Sequence, residues 1–99
     1  MSLFRVGDRV VIDDHDFPSF WANGATGTVS DPPSAVASLA DGWAGPVRTV
    51  STTHGSQSFY WIVLDEARVD ADDNGPYRQA EIAARCLQLL SRSSVRLEA

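Results

Sequence analysis

Gly24-Ala25-Thr26-Gly27-Thr28-Val29, read with Val6-Gly7-Asp8-Arg9-Val10-Val11-Ile12 upstream, decides the fold of this chain. Ala25, Gly27 and Val29 alternate with Thr26 and Thr28, and Val6, Val10 and Ile12 alternate with Arg9 and Val11. A period of two puts one set of side chains inside and the other outside, as in a half-buried strand. Gly24 enters the second strand where a positive φ is needed. Gly27 lies within it, where a missing side chain admits a neighbouring backbone. Small barrels close only if their strands coil, and such a glycine supplies the bend. The alternative is that the glycines mark two loops. The strand reading gives an all-β fold, a small five-stranded barrel with a long first loop and a later insertion.

Working outward, the first strand runs through about Arg5 to Ile12. The long loop follows, Asp13-Asp14-His15-Asp16-Phe17-Pro18-Ser19-Phe20-Trp21-Ala22-Asn23, carrying three carboxylates and three aromatics. The second strand ends at Asp31-Pro32-Pro33. Residues 31–46 form the insertion. Asp31 or Ser34 as cap, proline near the start and Gly42 past the end are the signals of a short helix over Ala35 to Ala40. A disordered insertion is the competing reading. Val47 to Thr53 is β-branched, and His54-Gly55-Ser56-Gln57 reads as a hairpin turn.

Ser58-Phe59-Tyr60-Trp61-Ile62-Val63-Leu64-Asp65 is the strongest strand. Tyr60, Ile62 and Leu64 share one face, with Phe59, Trp61, Val63 and Asp65 on the other. Its all-apolar character predicts cover on both faces, with the long loop roofing Trp61. In the tail, Ile82, Cys86, Leu89 and Leu90 fit helical spacing, while Leu87 and Leu89 alternate as in a strand. A helical turn over Glu81 to Ala84 and a closing fifth strand, Cys86 to Leu90, leaves the barrel no long open edge. Residues 1–3 and 92–99 read as frayed ends of one domain spanning 1–99.

The composition narrows the function classes. No apolar run is long enough to span a bilayer and no basic-then-apolar leader is present, so the expectation is a soluble, cytoplasmic protein. A single cysteine excludes an internal disulfide, and with only His15 and His54 no structural zinc cluster assembles. Cys86 lies among apolar residues and reads as a buried, inert thiol. The net charge is −5 and every basic residue is arginine. An acidic chain makes nucleic acid an improbable partner, because counterion release needs clustered positive charge; a protein with a basic surface, or a cation, fits better.

Val6-Gly7-Asp8-Arg9-Val10, then Asp14-His15-Asp16-Phe17-Pro18-Ser19-Phe20, then Gly24 to Val29 together resemble the opening of SH3-like small barrels, and Tyr60 to Asp65 is similar to a later strand of that fold. The resemblance covers most of the chain outside the insertion. It implies a KOW-type module of translation and transcription factors, or an accessory subunit such as those of nitrile hydratase, ferredoxin–thioredoxin reductase and photosystem I. Fold likeness alone carries no function.

Two constellations carry candidate chemistry. Asp13, Asp14 and Asp16 beside Phe17, Phe20, Trp21 and Trp61 form a candidate protein-binding face. The carboxylates would recognise Arg or Lys and the flat rings would supply contact area. The competing reading has the aromatics plugging one end of the barrel and the aspartates solvated. Asp70-Ala71-Asp72-Asp73-Asn74-Gly75-Pro76-Tyr77-Arg78-Gln79-Ala80-Glu81 matches the spacing of an EF-hand loop, with Asp70, Asp72, Asn74 and Glu81 as calcium ligands. A strand rather than a helix precedes it and Pro76 follows the glycine, so a solvated acidic hairpin competes. His15 between Asp14 and Asp16, and His54 near Ser51 and Ser56, lie in no nucleophile elbow, and a catalytic triad is defined by geometry. The expectation is a non-enzymatic, protein-binding or accessory domain with no resident cofactor. The alternatives are a nucleic-acid module needing Arg5, Arg9, Arg48 and Arg68 on one face, and a weak calcium-binding domain.

Overall fold

In the computed structural model, which describes residues 3–93, the chain is an all-β small barrel. Its strands are β1 (Arg9–Ile12), β2 (Thr26–Val29), β3 (Trp43–Ala44), β4 (Val47–Thr52), β5 (Gly55–Arg68), β6 (Tyr77–Ala83) and β7 (Leu87–Ser91). One turn of helix, α1 (Ser34–Ala37), and a 3-10 turn (Ala84–Cys86) complete it. The antiparallel sheet runs β3-β4-β5-β2-β1-β7, with β6 on the second edge of β5. It curls into a half-barrel around Val10, Ile12, Val29, Tyr60, Ile62, Leu64 and Ile82, all buried. Among the described residues no helix is long and apolar enough to cross a membrane.

The curl is seeded at the predicted glycines. Gly24 has φ +84°, and its N–H donates to the Ile12 carbonyl at 2.8 Å, closing the base of the first loop. At Gly27 a Cβ would stand 2.5 Å from the Val63 carbonyl oxygen and 2.7 Å from Ile62 Cγ2. β5 therefore crosses β2 too closely for any side chain, and Gly27 pairs with Leu64 at that crossing.

β1 is shorter than predicted and Val6 is not in it. Val6 sits exposed in a turn whose Gly7 has φ +94°, the Asp8 N–H donating to the Arg5 carbonyl. A turn with positive φ at its third residue takes glycine there and releases the second side chain to solvent. Phe4, edge-to-face on Tyr60, joins the core instead. The count of five strands is also corrected, since the described residues hold seven. Residues 77–83, read as the end of a loop and the start of a helical turn, pair with β5 from Phe59↔Ala83 to Arg68↔Tyr77. The single turn of 3-10 helix begins only at Ala84. It turns the chain so that Leu87 pairs with Ile12 in β7, the predicted closing strand.

The insertion is structured. α1 is four residues long, and neither Asp31 nor Ser34 caps it with a side chain; Pro33 occupies the cap position. The unpredicted β3 hairpins onto β4 through Gly45-Pro46, pairing Ala44 with Val47. Within the described residues the chain ends are held: Leu3 N–H donates to Tyr60 Oη, and Arg92 and Ser93 both donate to Asp8. The rest of the predicted frayed ends lies outside the described residues.

Candidate functional site

The first loop, Asp13–Asn23, is built inward from one buried carboxylate. Asp14 accepts the N–H groups of Asp16 and Phe17 on Oδ1, and Arg85 reaches both of its oxygens, at 3.0 and 3.4 Å. The Arg85 guanidinium, with the Asp16 N–H, lowers the Asp14 carboxyl from its ordinary value despite burial. Asn23 closes the loop from the far side. Its Oδ1 accepts the Asp14 N–H, and its Nδ2 donates to the carbonyls of Phe17 and Pro18. Asp and Asn are the residues whose short polar side chains substitute for backbone partners in irregular turns.

The predicted binding face is divided by this architecture. Asp14 is spent on the fold. Asp13 and Asp16 remain more open, with Asp16 at 3.5 Å from Arg85 and Asp13 at 3.4 Å from His15. Phe20 and Trp21 pack against the core, and Trp21 meets Tyr77 at 5.5 Å between ring centroids. Phe17 alone stays in solvent, 61% exposed. Trp61 stands apart from the loop. It lies on the outer face of β5 under Trp43 of the insertion, 6.2 Å away edge-to-face, with its indole N–H on Gln79 Oε1 at 2.7 Å. The cover over Trp61 is therefore the insertion and not the first loop.

The candidate calcium ligands are not brought together either. Asp70 Oδ1 accepts the N–H groups of Asp72 and Asn74, and its Oδ2 accepts the Tyr77 hydroxyl. These donors, chiefly the Asn74 N–H, lower the Asp70 carboxyl from its ordinary value. Glu81 lies well along β6, opposite Trp61, with its carboxylate on Arg48 at 3.0 Å. The loop closes on itself because β6 has already begun at Tyr77. Among the described residues no group of three or more His, Cys, Asp or Glu side chains is arranged to hold a metal ion.

The arginines are mostly occupied. Arg9 forms a two-pronged pair with Asp65 at 2.7 and 2.6 Å and also donates to Thr28. With the Thr26 hydroxyl, it holds the Asp65 carboxyl down at about 2. Arg48 serves Glu81 and the Asp41 carbonyl, while Arg68 donates to the Trp21 and Asn23 carbonyls. Three of the four arginines required by a nucleic-acid face are thus bonded within the chain.

Sequence reasoning missed Asp8. Its carboxylate is buried and joins the Arg5 N–H at 2.9 Å, the Ser93 N–H at 2.6 Å and the Arg92 guanidinium at 3.2 Å. Burial pushes its carboxyl upward, but the two N–H groups and Arg92 outweigh that and leave it lowered. The available signal was Gly7-Asp8 itself, a turn pair whose aspartate reaches back to its own backbone. Cys86 is buried, and burial raises its thiol. His15 is exposed beside Asp13. His54 tips the β4–β5 hairpin, next to the Ser51–Ser56 cross-strand pair. Set against models of protein families, curated proteins and solved structures, the chain matches none of them.

Proposed function

We propose that this chain is a non-enzymatic, cytoplasmic SH3-like domain that binds a protein partner, as an adaptor or accessory subunit, through its first loop. The curled sheet with its long first loop supports the SH3-like reading. Phe17 carries the binding reading. It is a large apolar ring held in solvent on a loop whose backbone is pinned by Asp14 and Asn23. A pre-ordered aromatic loses little entropy on binding, and exposed aromatics of this kind anchor protein interfaces. Asp13 and Asp16 beside it, on a chain of net charge −5, favour a basic partner surface. Engagement of Arg9, Arg48 and Arg68 within the fold weighs against the nucleic-acid alternative.

The test is retention of an arginine-rich peptide at low salt. Asp13→Asn with Asp16→Asn should abolish retention, and Phe17→Ala should weaken it, with the melting transition of each variant unmoved. Retention unaffected by either change removes the first loop from the interface. Asp14 is unsuitable for this purpose, because its loss would disorder the loop itself.

A further inference from the structure

β6 accompanies β5 only as far as the Phe59–Ala83 pair and then turns away into the 3-10 helix. On its other side β5 continues with β4 to the Thr52–Gly55 pair. The stretch from Gly55 to Ser58 therefore has no described strand along its second edge. The Trp61 N–H donates to the Pro46 carbonyl, towards the β4 side. By the alternation of an antiparallel ladder, the N–H and C=O of Ser56 and Ser58 point the opposite way, to the edge that β6 leaves. That edge borders a cavity of about 480 Å³ lined by Leu3, Ser58, Tyr60, Ala83, Ala84 and Arg85. Tyr60 Oη accepts the Leu3 and Phe4 N–H groups, which holds Leu3 as one wall.

The cavity adjoins the first loop. Arg85 lines it and bonds Asp14 and Asp16, and the Asp13 N–H donates to the Cys86 carbonyl at the end of the 3-10 turn. Resting on the first-loop reading, we infer that the partner segment is an extended basic peptide added as a strand to the edge of β5 that no described strand covers. It lies antiparallel, on the line β6 would have followed beyond Ala83. One apolar side chain enters the cavity against Tyr60 and Ala84, and a basic residue reaches Asp13 and Asp16. Strand addition draws affinity from main-chain hydrogen bonds and selectivity from side-chain pockets, and here the edge supplies the first and this cavity supplies the second. Among the described residues nothing pairs with that edge, and unpaired strand groups recruit other chains.

The probe is a capped Arg-Thr-Val-Thr-Val-Arg peptide titrated into the isotope-labelled chain, with its Glu-ended analogue and versions N-methylated at alternate residues. The expected result is movement of the Ser56, Ser58, Ala84 and Arg85 amides together with those of Asp13 and Asp16. Each N-methyl group in the pairing register weakens binding about fivefold to tenfold, the loss of one hydrogen bond, and methylation in the other register leaves it intact. Ser56→Pro, which removes an N–H facing away from β4, does the same from the protein side. Movement confined to 13–23 and indifferent to N-methylation overturns the strand pairing while the first-loop reading survives. Movement at the groove that ignores peptide charge and the Asp13→Asn/Asp16→Asn variant sinks the first-loop reading and the basic class of peptide with it. Concentration-dependent self-association through the same amides would replace the peptide by a second copy. No movement in millimolar peptide refutes both.

Discussion

Replacing Gly27 with alanine adds one methyl group where β2 and β5 approach closely. The new Cβ would stand 2.5 Å from the Val63 carbonyl oxygen, 2.7 Å from Ile62 Cγ2 and 3.2 Å from the Val63 carbonyl carbon. Two of those atoms are backbone in a paired strand, so relief requires β5 to move away from β2. Overpacking of this kind costs about 1–3 kcal/mol, and a rigid backbone neighbour puts it near the top of that range. Alanine returns about 0.5–1 kcal/mol through the lower entropy of the unfolded chain. The net loss is about 2 kcal/mol, or a fall in Tm of about 8–16 °C for a domain of this size. Gly24→Ala separates the two uses of glycine. There the φ of +84° is the obstacle and the nearest atom to a Cβ is Arg68 Nη2 at 3.9 Å, so the cost is about 1–2 kcal/mol of backbone strain alone. Urea and thermal unfolding followed by tryptophan emission would give both values. A Gly27→Ala protein within about 0.5 kcal/mol of its parent, the scatter of ordinary surface changes, would refute the claim that backbone contact at Gly27 sets the curl.

Three further outcomes follow from the same geometry. Asp65 is lowered to about 2 when folded, against an ordinary carboxylate near 3.8. It therefore contributes stability above pH 4 that drains away as pH falls towards 2, and Asp65→Asn should flatten that part of the urea midpoint against pH without altering the curve's shape above pH 5. Asp14→Ala leaves Arg85 and the Asp16 and Phe17 N–H groups without their acceptor, at about 1.5–3 kcal/mol. Amide exchange at Asp16 and Phe17 should quicken, and unchanged protection there would show that the loop is held by something else. Trp43→Ala uncovers Trp61, at about 0.5–1.5 kcal/mol beyond lost area. The Trp61 indole proton, bonded to Gln79, should then exchange faster with water, whereas an unaltered rate would return the cover of Trp61 to the first loop.

Much of the fold was legible because it depends on neighbours a few residues apart. Alternation in 25–29 and 58–65 assigns faces locally, and a glycine at a turn or a crossing announces itself by type. Val6 was misassigned because alternation continues through a turn: Val6 keeps the parity of Val10 and Ile12, yet Gly7 reverses the chain between them. β6 was hidden for a related reason. Tyr77 to Ala83 is mostly exposed and weakly apolar, so its strand character comes from the ladder along β5 and not from its own side chains.

The candidate site divides along the same line. By itself the sequence determined an all-β chain with a curled opening ribbon, an acidic aromatic first loop and a strand apolar on both faces. These rest on side-chain period, on glycine's freedom and on charge, each carried by residues close together in the chain. Only the tertiary structure decided which charges are free. Asp8 finds Arg92 across 84 positions and Asp14 finds Arg85 across 71, and a carboxylate buried by such a partner is a brace where an exposed one is an available contact. The same holds for Trp61, claimed by Trp43, and for the edge at Ser56, which no described strand covers because β6 ends its pairing with β5 at Ala83. Long-range pairing is settled by closure of the whole sheet, and no local stretch encodes it.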